Sequence, residues 1–264
     1  MRTKMKILVE NDVFFEDEIH PKNTLNVASN YFDVVVVDSV LDVDKHINQP
    51  ICFYRGSFAV GALLYQAHRN AFCGSASFFN CLNWVAPLKQ FYINKKYNII
   101  DMESCLGLTF PTFIRPCGGN KAFSGQLFTS KNHYETEYKF TTVNRNVSKD
   151  TLCLYAKPKK ILEEYRCVFV NHNLVATCGY LENGERKDFQ TPQKAIDLAI
   201  EISKSAYFNI PNFVIDVCLS EDEQYFLLEI NSINNSSFYS CDLHSIYKAL
   251  AIHFEEVDLL KYGE

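Results

Sequence analysis

No apolar run in this 264-residue chain approaches the ~20 residues that a membrane-spanning helix needs, so no membrane partner is expected. The opening residues, Met1-Arg-Thr-Lys-Met-Lys-Ile-Leu-Val-Glu10, hold too few apolar positions for the core of a secretion signal. Basic residues are in deficit: 26 Lys and Arg against 31 Asp and Glu leave a formal charge of −5. A nucleic-acid surface needs a clustered basic excess, so no nucleic-acid partner is expected either. The densest basic run, Lys157-Pro-Lys-Lys160, is short, broken by proline, and reads as a solvated turn. There are ten cysteines, yet none are spaced C-x-x-C, which excludes the usual zinc and thioredoxin patterns. Cys153, Cys167, Cys178 and Cys218 fall inside apolar runs, where cysteine acts as a small hydrophobe. A disulfide framework does not suit a chain of this size, and a reduced, cytoplasmic protein is the expectation. Internal repeats and low-complexity segments are absent.

What the chain does contain is globular: 47% hydrophobic residues, 22% charged, with 15 Tyr and 21 Phe. Residues 6–9, 31–37 and 50–54 read as strands, the Val34-Val-Val-Val37 run as one buried on both faces. Residues 23–29 read as a helix, and residues 58–69 have helical apolar spacing at Val60, Leu63, Leu64 and Ala67. That alternation indicates a small α/β unit, with residues 80–100 of mixed character. After Asp101 the texture becomes strand-rich, at 110–114, 126–129, 151–155, 165–170 and 174–180. Asn171-His-Asn173 reads as the turn between the last two. Thr191-Pro192 reads as a helix start with Thr capping and Pro in the first turn, followed by a buried stripe at Ala195, Leu198, Ala199, Ile202 and Ala206. Asp242 opens a last helix with Ile246, Ala249, Leu250 and Phe254 inward. The expected division is an N-terminal α/β domain over 1–104 and a second domain over 105–264.

The stretch from Phe213 to Asn231 places the strongest chemistry. Two apolar strands flank the polar turn Glu221-Asp-Glu-Gln224. If Ser220 pairs with Tyr225, Asp216 lies directly opposite Glu229. Opposed residues hold their Cβ atoms about 4.5–5.5 Å apart, where like charges repel. Such a pair calls for a cation between the carboxylates or a shared proton. Asn231 points to the same face and adds a neutral oxygen, which makes a set suited to Mg²⁺. The bland alternative is a solvated sheet face. Against it, the neighbours expected on that face are Val214 and Cys218 beside Asp216, and Leu227 and Tyr225 beside Glu229. On this reading Glu229→Gln leaves the metal-free fold intact or slightly more stable.

Two further elements are weaker alone. The loop Cys117-Gly-Gly-Asn-Lys-Ala-Phe-Ser-Gly125 lies between two strands, with amides and Lys121 suited to a phosphate, yet a glycine-rich hairpin is usually just a turn. It is not a Walker loop, because a strand follows it. Arg115 adds a charge beside it. Arg166, after Glu163 and Glu164, reads as part of an exposed ion pair or as a strand-borne contact to an anion.

In this order the elements resemble the ATP-grasp superfamily. The resembling residues are Phe113-Ile-Arg-Pro-Cys-Gly-Gly-Asn-Lys-Ala-Phe-Ser-Gly125, Leu154-Tyr-Ala-Lys-Pro158, Glu164-Tyr-Arg-Cys-Val-Phe-Val170 leading to Val175-Ala-Thr-Cys-Gly-Tyr180, and Asp216 with Glu229-Ile-Asn231. They look most like the R2K clade of bacterial and phage ATP-grasp proteins, named for an arginine and two lysines. Those correspond to Arg115 or Arg166, Lys121 and Lys157. The resemblance covers about residues 105–240 and implies an α+β fold, two lobes sandwiching ATP, preceded by a small α/β domain. It implies that Gly118, Gly119 and Lys121 cover the phosphates, that Leu154, Tyr155, Ala156 and Lys157 meet adenine along a hinge strand, and that Glu164 and Arg115 join the nucleotide site. Asp216, Glu229 and Asn231 would hold Mg²⁺, and Arg115, Lys121 and Arg166 would act on the reacting groups. One departure is that many ATP-grasp enzymes carry Lys where this chain has Arg115.

The implied activity is ligation of a small-molecule or peptide carboxylate to an amine through an acyl phosphate, which requires cationic clamps and metal bridging. The alternatives are an ATP-binding module without catalysis and a kinase acting on a hydroxyl; a homodimer is left open. Two adjacent glycines give the 118–125 loop low stiffness, and lids of this kind exclude water on closing. Hydrogen exchange is therefore expected to slow in this loop when Mg-ATP is added; equal protection with and without nucleotide counts against a lid.

Overall fold

The computed structural model describes residues 4–11, 13, 21–118 and 122–261. Strand β1 (Lys6–Glu10), helix α1 (Pro21–Tyr31), strands β2 (Asp33–Val37) and β3 (Ile51–Arg55) and helix α2 (Phe58–Ala67) open the chain. The strands form a parallel three-stranded sheet in the order β2-β1-β3. The short helix α3 (Cys81–Trp84) leads to β4 (Tyr97–Asp101), β5 (Thr112–Pro116), β6 (Gln126–Phe128), helix α4 (Lys131–Lys139) and β7 (Leu152–Ala156). These strands make an antiparallel sheet ordered β4-β7-β5-β6. Then come β8 (Ile161–Val170), β9 (Asn173–Glu182), β10 (Glu185–Phe189), helix α5 (Gln193–Ser203), β11 (Phe213–Ser220), β12 (Tyr225–Asn231) and helix α6 (Leu243–Lys261). Their strands form a second antiparallel sheet, β10-β9-β8-β11-β12. Among the described residues no helix is long and apolar enough to cross a membrane.

Several sequence expectations need correcting. The valine run of β2 is not buried on both faces: β2 is an edge strand, and Val36 is 41% exposed. In α2, Val60, Gly61 and Leu64 face the core, whereas Leu63 and Ala67 face outward. Strand β4, inside the expected 1–104 unit, pairs with β7, so the change of architecture falls before Tyr97. Thr191 does not cap α5. Pro192 holds the cap position and the buried Thr191 hydroxyl has no partner, while Ala206 is exposed beyond the helix end. Strand β10, Glu-Arg-Lys-Asp-Phe, has no apolar alternation to betray it, because it is a mostly exposed edge. Asp242 does open α6: its carboxylate accepts from the His244 amide at 3.0 Å and from the Ser245 hydroxyl at 2.5 Å. The Asn171 turn also appears, with Asn171 and His172 at φ 48° and 60°.

The central strands of the five-stranded sheet, β8 and β11, are buried on both faces. Tyr165, Cys167 and Phe169 of β8 and Ile215 and Val217 of β11 pack with Ala195, Ala199 and Ile202 of α5. On the other face Val168, Val170 and Val214 pack with Ile246, Leu250 and Phe254 of α6, and this same cluster takes in Ile7, Val9, Phe32 and Phe53 from the N-terminal region. One continuous core therefore joins the parallel sheet to the five-stranded one. All ten cysteines are free thiols and all but Cys52 are buried, which fits their role as small apolar residues.

Asn234 fastens this junction. It is fully buried, its amide nitrogen donates to the carbonyls of Tyr54 (2.5 Å) and Ala71 (2.9 Å), and its oxygen accepts from the Cys73 amide (2.7 Å). Ala71 and Cys73 lie outside the sheets and Tyr54 lies on the edge strand β3, and the Asn234 side chain serves all three backbone groups. Asn234→Leu strands three buried polar groups, at about 1–3 kcal/mol each before relaxation. A fall in the denaturation midpoint corresponding to about 3 kcal/mol or more is expected; a loss under about 1 kcal/mol would show that the junction does not depend on Asn234.

Candidate active site

Asp216 pairs with Glu229 across β11 and β12, as the hydrophobic pattern suggested, but by a different route. Near the turn Leu219 faces Tyr225 and Val217 faces Leu227, one residue out of the assumed register. A bulge at Leu228 restores the pairing before Asp216. The bulge also changes which residues share a face. Leu227 and Ile230, three apart, both bury toward α5, whereas Glu229 and Asn231 turn the opposite way. Leu227 is therefore not a same-face neighbour of Glu229, contrary to the pattern-based expectation.

The opposed carboxylates are not left to repel each other; each meets an arginine. Arg166 lies opposite Asp216 on β8, the other neighbour of β11. Its Nε and Nη2 donate to the two Asp216 oxygens at 2.9 and 2.8 Å, with side chains 6% and 2% exposed. Its Nη1 donates to the Ser237 carbonyl, and its guanidinium lies 4.5 Å from the Tyr239 ring centre. Burial works against the Arg166 charge, yet Asp216 outweighs it and holds the pKa well above the ordinary arginine value. The exposed ion pair with Glu163 or Glu164 is thus replaced by a buried fork, because the strand pairing turns Arg166 toward Asp216. Asn231 also turns to Asp216, its amide nitrogen donating at 2.9 Å.

Arg115 comes from the other antiparallel sheet and reaches across the cleft to Glu229, 2.7 Å away, with side chains 12% and 21% exposed. It rests 5.5 Å from the Trp84 ring centre, and its buried Nε has no partner. Burial opposes its charge, and Glu229 and Tyr92 overcome that and hold its pKa above the ordinary value. Gly125 makes room for it: a Cβ there would lie 2.8 Å from the Arg115 Cβ.

Two cavities meet at this ion pair. One, of about 350 Å³, lies between the two antiparallel sheets and is lined by Phe113, Gln126, Lys159, Glu164, Tyr180 and Leu228, with Arg115 and Glu229 at its wall. The other, of about 450 Å³, lies between the N-terminal region and the end of β12; Arg115, Gly118, Glu229 and Asn231 line it with α2. Gly119 and Lys121 lie outside the described residues.

Leu154, Tyr155, Ala156 and Lys157, the segment expected to meet adenine, line neither cavity. Leu154 and Ala156 are buried in β7, which is paired on both sides by β4 and β5, so their backbone groups are held in the ladder. Tyr155 packs in the small core beneath that sheet, and Lys157 is exposed outside both cavities. Lys159 and Ile161, just past β7, line the smaller cavity. Lys159 was hidden in a basic run that reads as a turn, and Phe113 and Tyr180 looked like ordinary strand residues. Period-two alternation of Phe113 with Arg115 was the one available signal.

Burial pushes the Glu164 carboxyl above its ordinary value, and the charges of Asp216 and Glu229 act the same way; the Tyr180 hydroxyl, donating at 2.6 Å, pulls it down. A raised folded pKa favours the fold while the carboxyl stays protonated, and this support is lost as pH rises from about 4.5 through the raised value. Glu164→Gln is accordingly expected to melt higher than the wild type at pH 7, with the difference vanishing below about pH 4.3. An advantage that stays constant over that range would exclude ionisation as its cause.

Comparison with solved structures defines the class. The D-alanine–D-alanine ligase of Bacillus anthracis complexed with ATP shares this fold with a TM-score of 0.55 at 11% identity, over 97% of this chain and 98% of that one. N5-carboxyaminoimidazole synthetase of Staphylococcus aureus complexed with ADP gives 0.58 at 14%, over 95% and 78%. The ATP-grasp ligase PsnB, complexed with a precursor peptide and AMPPNP, gives 0.55 at 10%, over 96% and 99%. The fold is therefore ATP-grasp. No curated protein sequence matches the chain. The model of the ATP-grasp domain, R2K clade family 2, matches residues 92–249, and the chain belongs to that family.

Proposed function

We propose that this protein is an ATP-dependent carboxylate–amine ligase, with ATP between the two antiparallel sheets and the acid to be activated in the adjoining cavity. The observation that carries this reading is the Arg115–Glu229 pair, which forms a wall common to both cavities. A group transferred from one cavity to the other passes that wall. Nucleotide complexes of three relatives in fold support ATP as the ligand.

The donor chemistry fits the expected ligands. The partnerless Nε of Arg115 is an N–H donor beside a cleft, as a phosphate oxygen requires. Asp216, Glu229 and Asn231 supply hard oxygens of the kind Mg²⁺ takes; a carboxylate has about four lone-pair positions, so Glu229, on the wall of both cavities, can keep its arginine bond and still meet a metal, whereas Asp216 already accepts three hydrogen bonds and lines neither cavity. Mg-ATP would supply the phosphoryl group that activates the carboxylate and the cation that neutralises the phosphates. In this reading Arg115 orients the phosphates, Arg166 positions Asp216, and Lys159, Glu164 and Tyr180 line the nucleotide site. Gly118 borders the acceptor side, and Lys121 with Gly119 covers the phosphates, as in the resemblance. Lys157 and the hinge carbonyls give way to the 159–161 segment.

ATP turnover with pooled acids and amines, followed by mass spectrometry, tests the reading. An amide with ADP and phosphate is expected; a phosphorylated hydroxyl indicates a kinase, and binding without turnover a nucleotide-binding module. Glu229→Gln provides the sharper measurement. It removes the partner of Arg115, so the nucleotide-free protein is expected to lose stability, by less than the ~3–5 kcal/mol of a fully buried pair. This reverses the gain that repulsion between bare carboxylates would give. Glu229→Gln is also expected to remove the stabilisation by Mg-ATP, roughly 2.7 kcal/mol at 100-fold excess over the dissociation constant. Glu221→Gln, exposed in the turn, is expected to do neither. Equal Mg-ATP stabilisation of Glu229→Gln and wild type would remove Glu229 from the site.

A further inference from the structure

The cavity beyond the Arg115–Glu229 wall has an apolar lining that says what kind of molecule fits it. Helix α2 has few polar positions, yet only Val60, Gly61 and Leu64 of it are buried in the core. Phe58, Ala62 and Tyr65, spaced i, i+4 and i+7, form a second apolar stripe, and all three line the cavity. Phe58 and Tyr65 are 40% and 41% exposed, and the Tyr65 ring meets Phe72 edge-on at 5.3 Å. An apolar stripe on a helix is ordinarily covered, and here what it faces is a void.

The polar side chains of the opposite wall are committed inward. Asn231 donates to Asp216 (2.9 Å), Asn235 to the Gly56 carbonyl (2.8 Å), Ser236 to the Ser232 carbonyl (2.6 Å) and Ser232 to Asn234 (3.2 Å). The Ser75 and Ser77 hydroxyls accept from the Phe78 amide and the Asn83 side chain. Among the described lining residues the only charges are Arg115 and Glu229, at one end and bound to each other. A second charge on a ligand would therefore lie against apolar surface with nothing to pair it. The volume of about 450 Å³ admits a small molecule or one or two residues of a peptide.

We infer that the substrate of this cavity is a carboxylic acid with an uncharged aromatic or branched aliphatic body, free or as the last residue of a short peptide, whose carboxylate lies at the Arg115 end and whose body packs on Phe58, Ala62 and Tyr65. This rests on the ligase reading for its orientation, not for its binding. Calorimetry on the full chain, with and without Mg-AMPPNP, separates the two. The probes are 3-phenylpropanoate, 4-methylpentanoate, acetyl-phenylalanine, acetyl-glycyl-phenylalanine, glutamate and lysine. The apolar acids are expected to bind about tenfold or more tighter than glutamate or lysine; which of them binds best distinguishes a free acid from a peptide end. Phe58→Ser with Tyr65→Ser is expected to weaken the apolar acids by about tenfold or more, with Mg-ATP stabilisation retained. Should that pair of changes disturb folding, Ala62→Phe, which fills the void, is expected to weaken them as well. Glutamate or lysine binding as tightly as the apolar acids, no acid binding at all, or unchanged affinity in the folded variants would overturn the inference. Apolar acids that bind a protein unresponsive to Mg-ATP would instead overturn the ligase reading and leave this one standing.

Discussion

Two carboxylates opposed across a strand pair, each held by its own arginine, are the constraint on which the site depends. Bare, Asp216 and Glu229 would repel each other within a largely apolar protein. Arg166 answers Asp216 from within the same sheet, through a two-bond fork shielded from water. Arg115 answers Glu229 from the facing sheet. The two pairs differ in consequence. The first is buried and fixes a side chain on a rigid strand, where loss of either partner leaves an uncompensated charge. The second is half-open and spans the cleft, so it couples the separation of the two sheets to the charge in the space between them.

The bulge at Leu228 makes this arrangement geometrically available. A regular hairpin would put Leu227 and Glu229 on one face, and either the apolar core under α5 would lose Leu227 or the cleft would lose Glu229. One extra residue lets the strand serve both demands, with Leu227 and Ile230 in the core and Glu229 and Asn231 facing away from it. That the same residue also lines the smaller cavity is consistent with bulges occurring where a strand must re-aim its side chains.

The N-terminal sheet is not an appendage to this site. Its core is continuous with that of the five-stranded sheet, and Asn234 bonds backbone groups of β3 and of the segment after α2. Arg55, also buried, lies 4.1 Å from the Phe238 ring centre and donates to the Ser236 carbonyl. The turn after β12 is thereby held from the N-terminal side, and with it one wall of the larger cavity. Helix α2 presents one stripe to the core and another to that cavity, so the N-terminal region forms part of its wall.

The strand pattern of residues 110–180 and 213–231, the capping by Asp242 and the opposition of Asp216 to Glu229 were legible in the amino-acid sequence, because local periodicity and hairpin length decide them. The order of Gly-rich loop, Glu164-x-Arg166 strand and Asp…Glu-x-Asn hairpin was enough to indicate ATP-grasp. Which cation each carboxylate meets was not legible. Arg166 is fifty positions from Asp216 and Arg115 is 114 from Glu229, and no local pattern records a pairing between sheets. The bulge escaped for a related reason: both registers satisfy the hairpin pattern, and only packing under α5 chooses between them. Tertiary structure likewise decided that Leu154 and Ala156 lie in a fully paired strand and that Lys159 lines the cleft. A strand's neighbours on both edges are set by the assembled sheet, and the sequence of one strand does not carry them.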